Sequence, residues 1–258
     1  MTENTVVVMD WLEIILSRAG KYLLSKVSEK PLKRFFTIMQ DSNVNLDVIW
    51  DVGAYKGEWT KEVARYCPKS KFILFEPNLV HNIDLEKTKH IFHNILLGKN
   101  RRMTKFFSLG NTGDSIYPEY GESRKPRDKF RLIKMETIDN LVKTEGYLAP
   151  NFIKLDVQGA ELDVLMGGKK SLLGLSGLIL ECPIVHYNWG SPTTSDYLEF
   201  MFENGFIPFY LTEVHRVQDI VVQIDLGFLR EDIFDSSVRS LSNIGFWEST
   251  RKKYARNN

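Results

Sequence analysis

The sequence predicts an α/β protein built on a mostly parallel sheet with helices on both faces. Three observations support this fold class. Short, continuous apolar runs alternate with segments whose apolar residues recur at helical spacing. Several of these runs end directly in an acidic residue, as at Asp51, Glu76 and Asp156. No internal repeat or linker divides the chain, and strands that are apolar along their whole length are typical of a parallel sheet covered on both faces.

Composition and charge exclude several classes of protein. The chain has 258 residues, of which 43% are hydrophobic, and a net charge of +1. Because there is no basic excess, we expect no nucleic-acid partner. Cys67 and Cys182 give no disulfide framework and are interpreted as reduced structural cysteines. No signal peptide is evident, and no uncharged run approaches the roughly 20 residues of a membrane span, so a cytoplasmic location is predicted.

Residues 1–44 are predicted to be a helical extension that precedes the main domain at 45–258. Apolar residues recur at helical spacing through 11–40, and Pro31 divides this segment into two helices. The apolar stripe of the second helix consists of Leu32, Phe35, Phe36 and Met39. Core packing is the simplest interpretation of such a stripe. A cap over the active site, or a homo-oligomer contact through these helices, is the alternative.

The main domain alternates predicted strands and helices. The predicted strands are 48–50, 72–75, 91–97, 152–155, 178–180, 207–211 and 220–228. Helices are predicted at 59–66, 162–166 and 197–202, where apolar residues recur at helical spacing, and a polar helix is predicted from about residue 78. Gly205 is suited to end the helix at 197–202. Between about 103 and 134 the alternation lapses, which predicts an inserted hairpin and loop.

A glycine loop after the first strand is the strongest local signal. Asp51, Gly53 and Gly57 lie between this strand and the next helix, whose N-terminus offers free N–H groups. Glu76 ends the second strand nineteen residues beyond Gly57, where a carboxylate can accept both hydroxyls of a ribose. The glycine loop and Glu76 together predict a binding site for a cofactor that contains a nucleoside. The alternative interpretation involves no cofactor: Asp51 caps a helix, and Glu76 is a surface acid before Pro77.

Three motifs make the chain resemble the FkbM family of S-adenosylmethionine-dependent methyltransferases. They are Asp-Val-Gly-Ala-x-x-Gly at 51–57, Phe-Glu-Pro at 75–77 and Lys-Leu-Asp-Val-Gln-Gly-Ala-Glu at 154–161. Shorter matches occur at 137–139, at Glu181, and at 223–225 with Phe228, so the resemblance covers about 45–230. Tyr55-Lys56 departs from the family, which more often has Asn and a small residue there.

The resemblance implies a Rossmann-like class I methyltransferase with a seven-stranded sheet whose last strand is antiparallel. It also implies S-adenosylmethionine as cofactor and O-methylation of a small-molecule acceptor. We therefore expect a hydroxyl of a sugar or sugar-nucleotide to be methylated, in surface-polysaccharide or secondary-metabolite biosynthesis. The expected cofactor-binding residues are Asp51, Gly53, Tyr55, Gly57, Glu76, Pro77, Ser115 and Asp156.

The expected catalytic residues are His186, Asp156 and Lys154. A histidine with its ordinary pKa of about 6.5 is largely neutral at pH 7, which suits a base for the acceptor hydroxyl. Asp156 ends a strand, and Lys154 lies two residues earlier on the same face, where it either orients Asp156 or extends to solvent. Asp156 and Glu181 could instead hold Mg²⁺, although metal-free catalysis is favoured.

Two other function classes remain open at this point. The fold could serve as a non-catalytic binding module, but the retained strand-end acids and the full glycine loop argue against this. A nucleotide-dependent oxidoreductase would need a third glycine in the loop, and the sequence lacks it.

Overall fold

The structure, a computed structural model, describes residues 30–108, 113–120 and 129–234. The helix and the oligomer contact predicted before residue 30 lie outside these ranges. Within the described residues, no helix combines the length and the apolar character that crossing a bilayer requires. Cys67 and Cys182 are both buried and free, as expected of structural cysteines.

Ten strands and seven helices occur in the described ranges. The strands are β1 (Val48–Val52), β2 (Lys71–Phe75), β3 (Ile91–His93), β4 (Leu96–Leu97), β5 (Arg102–Phe106), β6 (Arg131–Glu136), β7 (Phe152–Leu155), β8 (Gly177–Pro183), β9 (Phe206–Val217) and β10 (Ile220–Arg230). The helices are α1 (Pro31–Asp41), α2 (Glu58–Tyr66), α3 (Asn82–Glu86), α4 (Ile138–Lys143), α5 (Glu161–Met166), α6 (Thr194–Glu203) and the single turn α7 (Glu231–Ile233).

The main sheet has seven strands in the order β3-β2-β1-β7-β8-β10-β9. Neighbouring strands from β3 to β8 pair in parallel, whereas β10 is antiparallel to both β8 and β9. The predicted mostly parallel sheet with an antiparallel last strand is therefore confirmed. Because β1, β2, β7 and β8 run in the same direction, their carboxyl ends meet at one edge, where open α/β sheets bind ligands.

Both faces of the sheet are covered. Alternate residues of β1 point to opposite faces, so Trp50 packs against Phe75 on one side, with ring centroids 4.6 Å apart, while Ile49 faces the other. On the second face, α1 buries Phe35, Phe36 and Met39 against the sheet. The apolar stripe after Pro31 is thus core packing.

The contact between α1 and the sheet is close. The Phe35 ring lies 5.3 Å from that of Phe209 in β9. A Cβ on Gly227 of β10 would come within 2.4 Å of a Phe35 ring carbon. The absence of a side chain at Gly227 therefore lets α1 pack closely against the sheet.

Two elements differ from the prediction. The strand predicted at 91–97 is interrupted by a turn in which the Ile95 N–H donates to the His93 carbonyl oxygen at 2.9 Å. As a result, β3 joins the main sheet, whereas β4 joins a separate three-stranded sheet of order β4-β6-β5. The last two strands are longer than predicted, because β9 and β10 form one hairpin of 12 and 11 residues with register shifts.

Candidate active site

A cavity of about 400 Å³ lies over the carboxyl ends of the parallel strands. This volume is within the usual range for small-molecule sites. Its lining includes these residues singled out from the sequence: Gly53, Tyr55, Glu76, Pro77, Ser115, Lys154, Asp156 and Glu181. The strand order therefore brings most of the predicted site together.

The glycine loop lets two strand ends approach each other closely. The N–H groups of Gly53 and Ala54 both donate to the Phe75 carbonyl oxygen, at 2.9 and 3.1 Å. Gly53 has φ +78°, and a Cβ built on it would lie 1.8 Å from the backbone oxygen of Asp156. Only glycine fits between β1 and β7 here.

Glu76 is a buried carboxylate that forms part of the cavity wall, with only 6% of its surface exposed. Its Oε1 accepts the Asn78 N–H at 2.7 Å, and its Oε2 accepts the Tyr55 N–H at 3.0 Å. Burial, with the like charge of Asp114, raises the pKa of Glu76 to about 7. Each carboxylate oxygen can accept a second hydrogen bond, so Glu76 retains acceptor capacity for a ligand.

Tyr55, the departure from the family motif, occupies a left-handed position with φ +49°. Asparagine adopts this conformation at lower cost than most residues, which explains the family's usual choice. In this chain the Tyr55 ring packs against His81, with centroids 4.3 Å apart, and lines the cavity. The neighbouring Pro77 also lines the cavity, and its carbonyl oxygen accepts from Arg131 Nη2 at 3.2 Å.

Lys154 holds two carboxylates in place. Its Nζ lies 3.0 Å from Asp156 Oδ2, 3.6 Å from Asp51 Oδ1 and 3.4 Å from the Gly53 carbonyl oxygen. Burial acts to lower the pKa of Lys154, but the two carboxylates outweigh it and hold that pKa above its ordinary value. The buried side chain is therefore an ammonium that orients Asp156, and it does not extend to solvent.

Gln158 joins the two carboxylates that the sequence suggested for Mg²⁺. Its Nε2 donates to Asp156 Oδ1 at 2.8 Å and to Glu181 Oε2 at 2.6 Å. Although burial acts to raise the pKa of Asp156, the Lys154 ammonium and the Gln158 amide hold it below the ordinary value. For Glu181, burial and the nearby charge of Asp156 raise the pKa well above the ordinary value.

Sequence reasoning missed a group at the far side of the cavity. Asp225 of β10 is the register partner of Glu181 in β8, and His215 of β9 places its Nε2 3.4 Å from Asp225 Oδ1. Both residues line the cavity, together with Glu213 and Gln223. Two signals were available: the family match at 223–225, which contains Asp225, and the two-residue spacing of Glu213 and His215, which puts both on one face of a strand.

Three of the expected site residues lie outside the cavity lining. Asp51 is fully buried behind the glycine loop, where its Oδ2 accepts the Thr60 hydroxyl at 2.6 Å. Gly57 is the N-cap that precedes α2 and has φ +71°; a Cβ there would lie 2.6 Å from Thr88 Cγ2, so this glycine serves packing. His186 is exposed on the loop after β8 and is not among the residues that line the cavity.

Two further residues hold the cavity wall in shape. The Ser115 hydroxyl donates to the Gln158 carbonyl oxygen at 2.7 Å, which ties the inserted segment to the loop after β7. Glu161, the last residue of the third motif, accepts the Val157 N–H at 2.9 Å and the Tyr197 hydroxyl. This carboxylate holds the turn in which Gln158 has φ +54°.

The strand order, the single antiparallel strand beside the edge strand, and the cavity over the carboxyl ends define a Rossmann-like class I methyltransferase. The family model of the methyltransferase FkbM domain matches residues 51–208, and the chain belongs to this family. Membership supports methyl transfer as the reaction and S-adenosylmethionine as the methyl donor.

A search of curated proteins found no match. Among solved structures, the chain is similar to magnesium protoporphyrin IX methyltransferase from Synechocystis PCC 6803 with bound SAM (10% identity, 89% of this chain and 98% of that chain, TM-score 0.44). It is also similar to precorrin-6y C5,15-methyltransferase from Geobacter metallireducens GS-15 (11% identity, 78% and 88% coverage, TM-score 0.42). A third is M. capricolum TrmK with S-adenosyl-homocysteine (12% identity, 76% and 68% coverage, TM-score 0.40). Similarities this low carry no information on the substrate of this chain.

Proposed function

We propose that this chain transfers the methyl group of S-adenosylmethionine to a hydroxyl of a sugar or sugar-nucleotide, in surface-polysaccharide or secondary-metabolite biosynthesis. One observation carries the proposal: the cavity has two chemically different sides. Glu76 and the Gly53 loop form one side, and Glu181, His215 and Asp225 form the other. The strands that carry Glu76 and Glu181 are three spacings apart in the sheet, about 14 Å, which leaves room for both reactants.

The cofactor side suits the parts of S-adenosylmethionine. Glu76 offers free acceptor positions to the ribose hydroxyls. Apolar side chains of the same cavity, Ile95, Leu97 and Phe106, suit an adenine ring. Asp156, kept ionised by Lys154, suits the positively charged end of the cofactor. We therefore assign the cofactor to Gly53, Tyr55, Glu76, Pro77 and Asp156, with Asp51, Gly57 and Ser115 shaping the loops around it.

When bound, S-adenosylmethionine would supply an electrophilic methyl on its sulfonium. Transfer to the acceptor oxygen would exchange the C–S bond for an O–C bond and would release S-adenosylhomocysteine and the hydroxyl proton. The protein positions the reactants and receives this proton. Asp156 is a poor base because Lys154 holds its pKa low. His186 is exposed and outside the lining. Three groups of the lining remain that can accept the hydroxyl proton or lower the pKa of the acceptor hydroxyl: Glu181, His215 and Asp225.

A methyl-incorporation screen tests the proposal. Purified protein is incubated with methyl-labelled S-adenosylmethionine and a panel of nucleotide-linked sugars, each paired with the deoxy analogue that lacks one hydroxyl. We expect label in one sugar class and none in its matched deoxy analogue. Label recovered on nitrogen or carbon would overturn O-methylation while leaving methyl transfer intact.

The affinity for S-adenosylhomocysteine is expected to depend on pH through Glu76. The ribose hydroxyls donate to the carboxylate, so binding favours the ionised form, which predominates above a pKa of about 7. Affinity should therefore be constant above about pH 8 and fall about tenfold between pH 8 and pH 6. Calorimetric titrations across this range measure the effect. Glu76→Gln, which has no proton to lose, is the matched control and should show a flat profile; a flat profile in the wild type would contradict the assignment.

A further inference from the structure

Three side chains from three neighbouring strands converge at the acceptor side of the cavity. One ligating atom from each of Glu181, His215 and Asp225 lies within 4.8 Å of the other two. The strands β8, β10 and β9 are adjacent in the sheet, and Asp225 pairs in register with Glu181. The hydrogen-bonded backbone of the sheet therefore fixes the spacing of the three side chains.

The two carboxylates of this group have few donors. Asp225 Oδ1 is buried, and His215 Nε2, 3.4 Å away, gives it a long ion pair and no short hydrogen bond. Glu181 is only 8% exposed, and its Oε2 accepts Gln158 Nε2 at 2.6 Å. The one buried lysine of this cavity wall, Lys154, lies against Asp51 and Asp156. A buried acceptor without a donor costs free energy, which a bound cation would remove.

We propose that Glu181, His215 and Asp225 form a binding site for a divalent first-row transition-metal cation such as Mn²⁺. Two carboxylates and one imidazole suit Mn²⁺, Fe²⁺ or Zn²⁺ better than Mg²⁺, which prefers oxygen ligands throughout. This ligand set differs from the Asp156–Glu181 pair suggested by the sequence, since Gln158 already bridges that pair.

The site would act on the acceptor. Three protein ligands leave coordination positions open to a substrate oxygen, and a bound cation lowers the pKa of a hydroxyl that it contacts. This role rests on the proposed O-methylation, whereas cation binding itself does not.

Mn²⁺ titration of the full chain tests the site. Protein stripped with EDTA is titrated at pH 7.5, and free Mn²⁺ is followed by its electron paramagnetic resonance signal. We expect one Mn²⁺ per chain, with Mg²⁺ competing poorly. Glu181→Gln and His215→Asn should each weaken Mn²⁺ binding at least tenfold, since losing even a residue that supports a metal ligand typically costs about that much.

Glu213→Gln is the matched control, because Glu213 is an exposed carboxylate of the same cavity outside the ligand set. It should leave Mn²⁺ binding unchanged. Absence of Mn²⁺ binding, or equal weakening by Glu213→Gln and His215→Asn, would overturn the site. His215→Asn alters a half-exposed position, so it stays informative if Glu181→Gln fails to fold. Calorimetry with S-adenosylhomocysteine on the same samples separates the outcomes: retained binding without Mn²⁺ binding rejects the cation site and leaves the methyltransferase proposal standing.

Discussion

Replacing Gly53 with alanine is expected to lower the free energy of unfolding by about 2–4 kcal/mol and to abolish cofactor binding. The new Cβ would lie 1.8 Å from the backbone oxygen of Asp156, so β1 and β7 would have to separate. Overpacking of this kind costs about 1–3 kcal/mol, and alanine at positive φ adds about 1 kcal/mol or more. Chemical denaturation measures the loss.

Gly146→Ala is the matched control for this variant. Gly146 also has a positive φ, +74°, but a Cβ there would meet no atom within 4 Å. It should therefore show the backbone strain alone, about 1 kcal/mol. Equal losses for the two variants would show that the close approach of the loops at Gly53 is not what requires glycine.

Lys154→Met is expected to lower the free energy of unfolding by about 3–5 kcal/mol, the usual cost of removing one partner of a buried ion pair. The substitution leaves Asp51 fully buried without its cation and removes one of the two side chains that orient Asp156, the other being Gln158. Denaturation curves measure the stability, and calorimetry with S-adenosylhomocysteine measures the effect on the site.

Lys134→Met is the control, because Lys134 pairs with Glu136 but its side chain is 66% exposed. We expect a loss of less than about 1 kcal/mol there. Adding Asp51→Asn to Lys154→Met should recover part of the lost stability, since the uncompensated charge is then removed. If this double variant is no more stable than Lys154→Met alone, the ion pair is not the source of the effect.

The fold, and the meeting of Glu76 and Asp156 at one edge of the sheet, could be predicted because the signals are local. Glu76 and Asp156 follow apolar runs directly, and parallel strands bring their carboxyl ends to one edge whatever the details of packing. Gly53 was also recognisable from the sequence. The reason that glycine is required there is the backbone oxygen of Asp156, which lies about a hundred residues further along the chain.

The opposite side of the cavity, around His215 and Asp225, could not be predicted in the same way. His215 and Asp225 meet only because β9 and β10 pair antiparallel with register shifts, and register cannot be read from the apolar pattern of a long hairpin. His186 is exposed and outside the cavity lining, and a loop sequence alone does not determine which way the chain leaves the sheet. Asp51 lies behind the cavity because its strand position directs it toward Thr60.

Calorimetric titration with S-adenosylhomocysteine and with NAD⁺ tests the central claim, a nucleoside site for a methyl donor built on Glu76 and the Gly53 loop. We expect one S-adenosylhomocysteine to bind per chain and NAD⁺ to give no binding heat. Glu76→Ala should weaken S-adenosylhomocysteine binding at least tenfold, because charge-assisted hydrogen bonds to the ribose are each worth about 1.5–3 kcal/mol. Glu86→Ala, which removes an exposed carboxylate of α3, is the control and should bind as the wild type does. Binding of NAD⁺ instead, or wild-type affinity in Glu76→Ala, would contradict the account.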